Sequence, residues 1–330
     1  MERKRMGYSV TTSSKAVLPP GSLITGKWKK GRYRVERLLG QGANGIVYLV
    51  RREWGRERYA LKIGYDAVDL QSEINVLQSL LTKRQQGGRG LRSPEFAHPF
   101  LVEVDDFPAQ GRDIPFYVMR YVQGSTLQQF IAKNGPEWFG LIGYRLLGKL
   151  AALHEMGFAF GDLKAENILV SDYGRVELVD YGGVSAIGRS VKQFTESYDR
   201  GFWNAGTRTA DPGYDLFSYT ALWLHVLDQA RLRRMMAEQL PITRQASDLM
   251  QLIRTNAHLK PFERWFGKAA SGQFATSREA CAAWKETMLA LGGQSGDLQR
   301  NRAKTPYWLT GALIAAVLLL CSTIYWVLQS

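Results

Sequence analysis

Lys62, Asp162, Lys164, Asn167 and Asp180 are the residue types that a nucleoside triphosphate and a magnesium ion require, and they occur in a suggestive order. Gly40-Gln41-Gly42-Ala43-Asn44-Gly45-Ile46-Val47 comes first, then Tyr59-Ala60-Leu61-Lys62, then Asp162-Leu163-Lys164-Ala165-Glu166-Asn167, then Asp180-Tyr181-Gly182. A lone glycine-rich run is weak evidence, because many turns carry three glycines. Four ordered motifs are much harder to obtain by accident. The chemistry they suit is phosphoryl transfer, which is mostly positioning and charge neutralisation. Gly40, Gly42 and Gly45 let a backbone approach phosphates without a Cβ in the way. Lys62 would contact the α and β phosphates. Asp162 would accept or orient the proton of an acceptor hydroxyl, and Lys164 would neutralise the transferred group. Asn167 and Asp180 would hold Mg2+, which takes few protein ligands and completes its shell with phosphates and water.

These residues need elements to place them. Lys62 lies in an apolar-alternating stretch that reads as a strand, and its ammonium needs an acidic partner. Glu73 is the candidate, because apolar residues at 70, 74, 77, 80 and 81 predict a helix over Asp69 to Leu81 with Glu73 beside its buried stripe. Strands with one helix among them run to about residue 122, and helices follow from Leu127. The pattern is α+β: a small lobe, mainly strands, on a larger helical lobe. A chain of 330 residues with 45% hydrophobic content can bury such a core. The four histidines lack metal-ligand spacing, and His154 reads as a structural helix residue. Cys281 and Cys321 are poorly placed to pair, so a reduced protein is expected.

The motifs resemble those of the eukaryotic-like serine/threonine protein kinases of bacteria, over about residues 31 to 290. That resemblance implies the two-lobed protein-kinase fold, ATP with Mg2+, and Ser/Thr hydroxyls of proteins as acceptors. It implies an adenine site between Val47, Ala60 and Leu169, with Met119 as gatekeeper and the backbone of Arg120 to Val122 meeting the base. Asp215 would brace the loop that carries Asp162. The family's apolar column would be filled by Leu77, Val104, Phe160 and Tyr181.

Three departures bear on activity. The family's His-Arg-Asp is Phe160-Gly161-Asp162, which removes the cation that usually binds a phosphate on the activation segment. Asp199-Arg200-Gly201 stands where Ala-Pro-Glu is expected, and Gln273-Phe274-Ala275 where its Arg partner is expected. Joint loss is what a buried ion pair predicts, and a rewired substrate platform follows. Thr195 near Lys164 favours Ser/Thr over Tyr acceptors. Degenerate motifs leave a second reading open, a pseudokinase acting as an ATP-binding scaffold. The presence of Lys62, Glu73, Asp162, Asn167 and Asp180 favours catalysis.

Tyr307 to Leu328 is an uncharged run of 22 residues, long enough to cross a bilayer as one helix. Tyr307, Trp308, Tyr325 and Trp326 sit at its ends as interfacial aromatics. Arg300, Arg302 and Lys304 precede it, which predicts a single-pass protein of the cell membrane with the catalytic lobes in the cytoplasm and the last residues outside. The expected divisions are a basic, disordered tail at 1–30, the N-lobe at 31–122, the C-lobe at 123–291, a linker at 292–306 and the span at 307–328. Gly311 with Ala315, and Ala312 with Ala316, would permit close packing of two copies as a homodimer.

The net charge is +13, and residues 1–37 hold ten Lys and Arg against two acidic residues. Further clusters are Lys83, Arg84, Arg89 and Arg92, and Arg231, Arg233, Arg234, Arg244 and Arg254. Such surfaces suit anionic lipid or DNA bound through phosphates without sequence reading, and equally an ordinary basic exterior.

Overall fold

A computed structural model describes residues 17–86, 100–109, 111–192 and 194–300. The N-terminal lobe is a six-stranded antiparallel sheet of β1 (Leu23–Thr25), β2 (Arg32–Gly42), β3 (Gly45–Arg52), β4 (Arg58–Gly64), β5 (Leu101–Ala109) and β6 (Arg112–Arg120), ordered β1-β2-β3-β4-β6-β5. Side chains alternate between the two faces of each strand. Ile46, Tyr48 and Val50 of β3 therefore join Leu61 of β4 and Phe116 and Val118 of β6 in one core, closed by Ile24, Tyr33 and Val35. The residues between them, Val47, Ala60, Lys62, Tyr117 and Met119, are left for the opposite face. Register sets Val47 opposite Lys62 and Lys62 opposite Tyr117, so the three form one row across β3, β4 and β6.

Helix α1 (Ala67–Gln86) lies between β4 and β5 in the chain, longer than its apolar period predicted. Asp66 starts it by accepting hydrogen bonds from the amides of Val68 and Asp69. Leu70, Ile74, Leu77 and Leu80 recur at helical spacing and are buried, with Glu73 on the same face at 3% exposure.

The C-terminal lobe begins with β7 (Ser125–Thr126), α2 (Leu127–Asn134) and α3 (Phe139–Glu155). Thr126 caps α2 in a capping box with Gln129. Short strands β8 (Phe158–Ala159), β9 (Ile168–Ser171), β10 (Arg175–Leu178) and β11 (Ser185–Ala186) carry the loops between. Helix α4 (Pro212–Leu227) is apolar almost all round and buried, as such a pattern requires. Asp211 caps it and Pro212 opens it, where a missing amide costs nothing. Around it lie α5 (Gln229–Glu238), α6 (Ala246–Thr255) and α7 (Glu263–Ala270), and the chain continues into α8 (Ser277–Arg300). The compact catalytic unit ends at Cys281.

Gly292 to Gly296, expected as linker, is helical here. Glycine weakens a helix by about 1 kcal/mol per residue without forbidding it. Among the described residues no helix is long and apolar enough to cross a membrane. The expected span at 307–328 lies outside those residues, as do residues 1–16 of the basic tail, Arg89 and Arg92.

Candidate active site

A cleft of about 1050 Å3 is lined from above by the sheet and from below by the loops around β9 and β10. Gly40, Gly42, Gly45, Val47, Ala60, Lys62, Met119, Arg120, Val122, Asp162, Lys164, Asn167, Leu169 and Asp180 all line it. Glu73 does not, because it is buried behind Lys62. A Cβ added at Gly40 or Gly42 would meet nothing within 4 Å, so these two leave open room above the cleft. Gly45 is different: a Cβ there would stand 2.3 Å from the carbonyl oxygen of Ile63, so the close approach of β3 to β4 alone requires glycine. Irregular register between Leu38 and Gly40 shapes β2, the strand that carries Gly40 and Gly42.

At the back of the cleft Lys62 Nζ donates to Glu73 Oε2 at 2.7 Å and to Asp180 Oδ1 at 2.8 Å. Burial disfavours the ammonium, but the two carboxylates outweigh it and hold its pKa above the usual lysine value. Burial pushes the Asp180 carboxyl up, yet Lys62 beside it prevails and holds it below the usual carboxylate range. Glu73 has to share that cation, and its deeper burial keeps its carboxyl raised. Asp180 has φ of 60°, a left-handed conformation that costs a non-glycine residue energy and concentrates at functional sites.

On the lower wall, Lys164 Nζ donates to Asp162 Oδ2 at 2.5 Å and Thr195 Oγ1 to Asp162 Oδ1 at 3.0 Å. Asn167 Nδ2 donates to the backbone oxygen of Asp162 at 2.9 Å and to its Oδ2 at 3.2 Å. The amide nitrogen of Asn167 is thereby committed to Asp162, which leaves its carbonyl as the end able to meet a cation, beside an ionised Asp180. Among the described residues no group of three or more His, Cys, Asp or Glu could hold a metal unaided. That donor set fits Mg2+ whose remaining ligands come from ATP phosphates. The cations Lys62 and Lys164 and a carboxylate positioned by three donors, all lining one cleft, can orient an acceptor hydroxyl against a terminal phosphate.

Asp215, fully buried in α4, holds the loop from beneath. Its carboxylate accepts the amides of Phe160 at 2.6 Å and Gly161 at 2.9 Å, and its Oδ2 lies 2.8 Å from His154 Nε2. His154 Nδ1 meets Ser277 Oγ at 2.6 Å. Gly161 has φ of 80°, and a Cβ there would lie 2.6 Å from the oxygen of Gly183. The family's Arg is thus not merely absent: the backbone at this position excludes any side chain. Phe160 packs edge-on against Tyr181 with ring centroids 6.1 Å apart. Phe100, which the sequence did not suggest for the column, lies 5.2 Å from Tyr181, while Val104 is only half-buried.

The segment that replaces Ala-Pro-Glu has its own ion pairs. Asp199, 1% exposed, accepts from the amides of Gly201 and Phe202, from Tyr214 Oη at 2.9 Å and from Arg208. Arg200 forms a two-pronged pair with Asp211, the cap of α4. A buried carboxylate is present after all, with a partner nine residues away instead of at the end of the domain. The basic clusters are also less free than the sequence implies. Arg244 is buried, stacks 4.3 Å over Phe202 and donates to the oxygens of Met236 and Gln239. Arg254 pairs with Glu263, Arg231 with Asp228, and Lys83 donates to the oxygen of Met156 at 2.6 Å.

Comparison with known proteins gives the same answer as the cleft. The protein kinase domain family matches residues 33–265. Serine/threonine-protein kinase YabT of Bacillus subtilis (strain 168) is 33% identical over 299 residues, covering 89% of this chain and 82% of that protein. Serine/threonine-protein kinase PrkC of the same organism is 26% identical over 53% of this chain and 26% of its own length. Among solved structures, vaccinia related kinase 3 matches with a TM-score of 0.61 at 18% identity, covering 89% of this chain and 94% of that one. The kinase domain of Mycobacterium tuberculosis PknI matches with a TM-score of 0.52 at 21% identity, covering 83% and 100%. At those identities the two structures speak for the fold. Family match, similarity to a serine/threonine kinase over 89% of this chain and the two-lobed fold place this chain in the protein kinase domain family, as an ATP-dependent serine/threonine protein kinase that works with Mg2+.

Proposed function

We propose that this kinase works as a membrane-tethered enzyme facing the cytoplasm, with Lys62, Glu73, Asp162, Lys164, Asn167 and Asp180 as its transfer machinery. The observation that supports the residue assignment is the Lys62 ammonium held between Glu73 and Asp180 across one cleft from Asp162. ATP would lie under Gly40 and Gly42, its base between Val47, Ala60 and Leu169, with the backbone from Arg120 to Val122 alongside. Asn167 and Asp180 would hold Mg2+, which would supply charge neutralisation at the phosphates. Asp162 orients the acceptor hydroxyl and receives its proton, and Lys164 meets the charge on the transferred group. Thr195 is placed to fix the rotamer of Asp162.

Tethering rests on the uncharged run 307–328 and the basic residues before it. Control by an anionic surface, DNA or lipid, rests on the excess charge of residues 1–37. The assay is radiolabelled phosphate transfer from ATP by the full chain in lipid nanodiscs, beside Lys62→Ala and Asp162→Asn, with neutral or anionic lipid and with or without duplex DNA. Loss of at least about a hundredfold in both variants is expected, the scale of removing a transition-state contact. Full activity in either variant overturns the residue assignment. Stimulation by either anion supports the regulatory reading, and equal rates under all conditions remove it. A wild type that binds ATP but transfers nothing would bring back the scaffold reading.

A further inference from the structure

The Lys62–Glu73 pair has a third member that the transfer chemistry does not require. Tyr117 Oη donates to Glu73 Oε1 at 2.9 Å, while Glu73 Oε2 takes Lys62. Tyr117 stands on β6 directly opposite Lys62 on β4, on the face of the sheet that α1 covers, and it is 1% exposed. Glu73 is 3% exposed. A phenol at such a depth is costly unless its hydroxyl is bonded, and a buried carboxylate oxygen without a donor is costlier. Each satisfies the other. Burial and the neighbouring carboxylate also push the Tyr117 phenol well above its usual value, so it stays a donor throughout the working pH range.

Helix α1 is also tied to the larger lobe by Lys83, ten residues beyond Glu73, which donates to the oxygen of Met156 at 2.6 Å. Lys192 Nζ on the activation segment donates to Ser72 Oγ at 2.8 Å, but both ends are exposed to water, where such contacts contribute little. Gly161 puts no cation at the position before Asp162 where an activation-segment phosphate could be gripped, and Lys164, the cation of that loop, is held by Asp162. We infer that Tyr117 is a positioning residue that acts through Glu73, fixing α1 and hence Lys62 in the transfer-competent arrangement without help from a phosphate. The sharing of Lys62 between two carboxylates makes this donor matter, since Lys62 alone leaves Glu73 incompletely compensated.

Tyr117→Phe keeps the ring and removes only the hydroxyl. In the full chain, with casein as acceptor, kcat/KM for ATP should fall about ten- to a hundredfold, the scale of one hydrogen bond to a charged group. KM for casein should stay within about twofold, because nothing on the acceptor side changes. In a Glu73→Leu background, which removes the acceptor oxygen, the same substitution should cost no further activity. Amides of α1 should exchange faster in Tyr117→Phe while those of β3 and β4 hold. A hydroxyl that merely stabilised the sheet would loosen the strands as well. The inference rests on Lys62 and Glu73 acting as proposed above, and the exchange measurement is independent of catalysis. Unchanged α1 exchange, activity within about twofold of wild type, or losses that multiply in the double variant would each overturn it.

Discussion

At the scale of single residues, Gly161 and Asp180 show how closely backbone and chemistry are joined here. Asp180 accepts a left-handed conformation that favours glycine, and the ion pair with Lys62 holds it there. Gly161 needs φ of 80° and leaves no space for a Cβ beside Gly183. Restoring the family's cation by Gly161→Arg should therefore not restore phosphate control. It should instead destabilise the domain by at least about 2 kcal/mol, from left-handed strain and the carbonyl clash together. Thermal unfolding of the variant measures this, and a variant as stable as wild type would contradict the geometry. Thr195→Ala should lower kcat by about tenfold with little change in KM for ATP, since only the rotamer of Asp162 loses support.

At the scale of elements, α1 and α4 do most of the positioning. Helix α1 delivers Glu73 to Lys62, the position before Asp162 is the side-chain-free Gly161, and Lys164, the cation of that loop, is bonded to Asp162. Enzyme stripped by a phosphatase should accordingly transfer phosphate at a rate close to the untreated protein from the first turnover. A lag removed by preincubation with ATP would show that phosphorylation does set the helix. Helix α4 braces the loop through Asp215 and also carries His225, whose ring stacks on Tyr198 with centroids 4.4 Å apart. Burial, and then Arg233, lower the His225 pKa from 6.5 to about 4. Between those values the unfolded chain binds a proton that the folded chain refuses. Stability is therefore complete above pH 6.5 and falls as the pH drops towards 4, by at most about 3 kcal/mol. Unfolding by denaturant at stepped pH should show that slope, and His225→Gln should flatten it.

At the scale of the whole molecule, charge is distributed differently from its appearance in the sequence. On the sheet, Arg34, Arg51 and Arg58 stand side by side across β2, β3 and β4, a row of like charges that would repel. Glu36 and Glu53 interleave with them and pair with Arg51, Arg58, Arg32 and Arg34. Arg231 and Arg254 are likewise paired, whereas residues 1–30 hold seven Lys and Arg against one Glu, +6 of the net +13. Removal of residues 1–16 should weaken binding to anionic vesicles and flatten its salt dependence, whereas neutralising Arg231 or Arg254 should change it little. Sedimentation with vesicles at stepped ionic strength tests both, and equal loss from the two kinds of variant would return the interaction to the catalytic lobes.

The sequence by itself carried the order of the motifs, the residue types that handle a triphosphate and the division into a strand-rich and a helical lobe. It could do so because these depend on local spacing: a glycine-rich turn, a period of two or a helical period. The link from Glu73 to Lys62 was legible because an apolar stripe at helical spacing left one carboxylate at its edge. Tyr117 was not legible, although it lies only two residues before Met119. Its role depends on which residue of β4 it faces, and strand register is fixed by burial of Leu61, Phe116 and Val118 in the core and not by local sequence. The same holds for Asp199 with Arg208, for Arg244 on Phe202 and for the exclusion of a side chain at Gly161. Each is decided by which distant backbone or ring comes within a few ångströms once the lobes are packed. Chemistry was written in residue types, and the partners that hold it in place were settled only by tertiary contact.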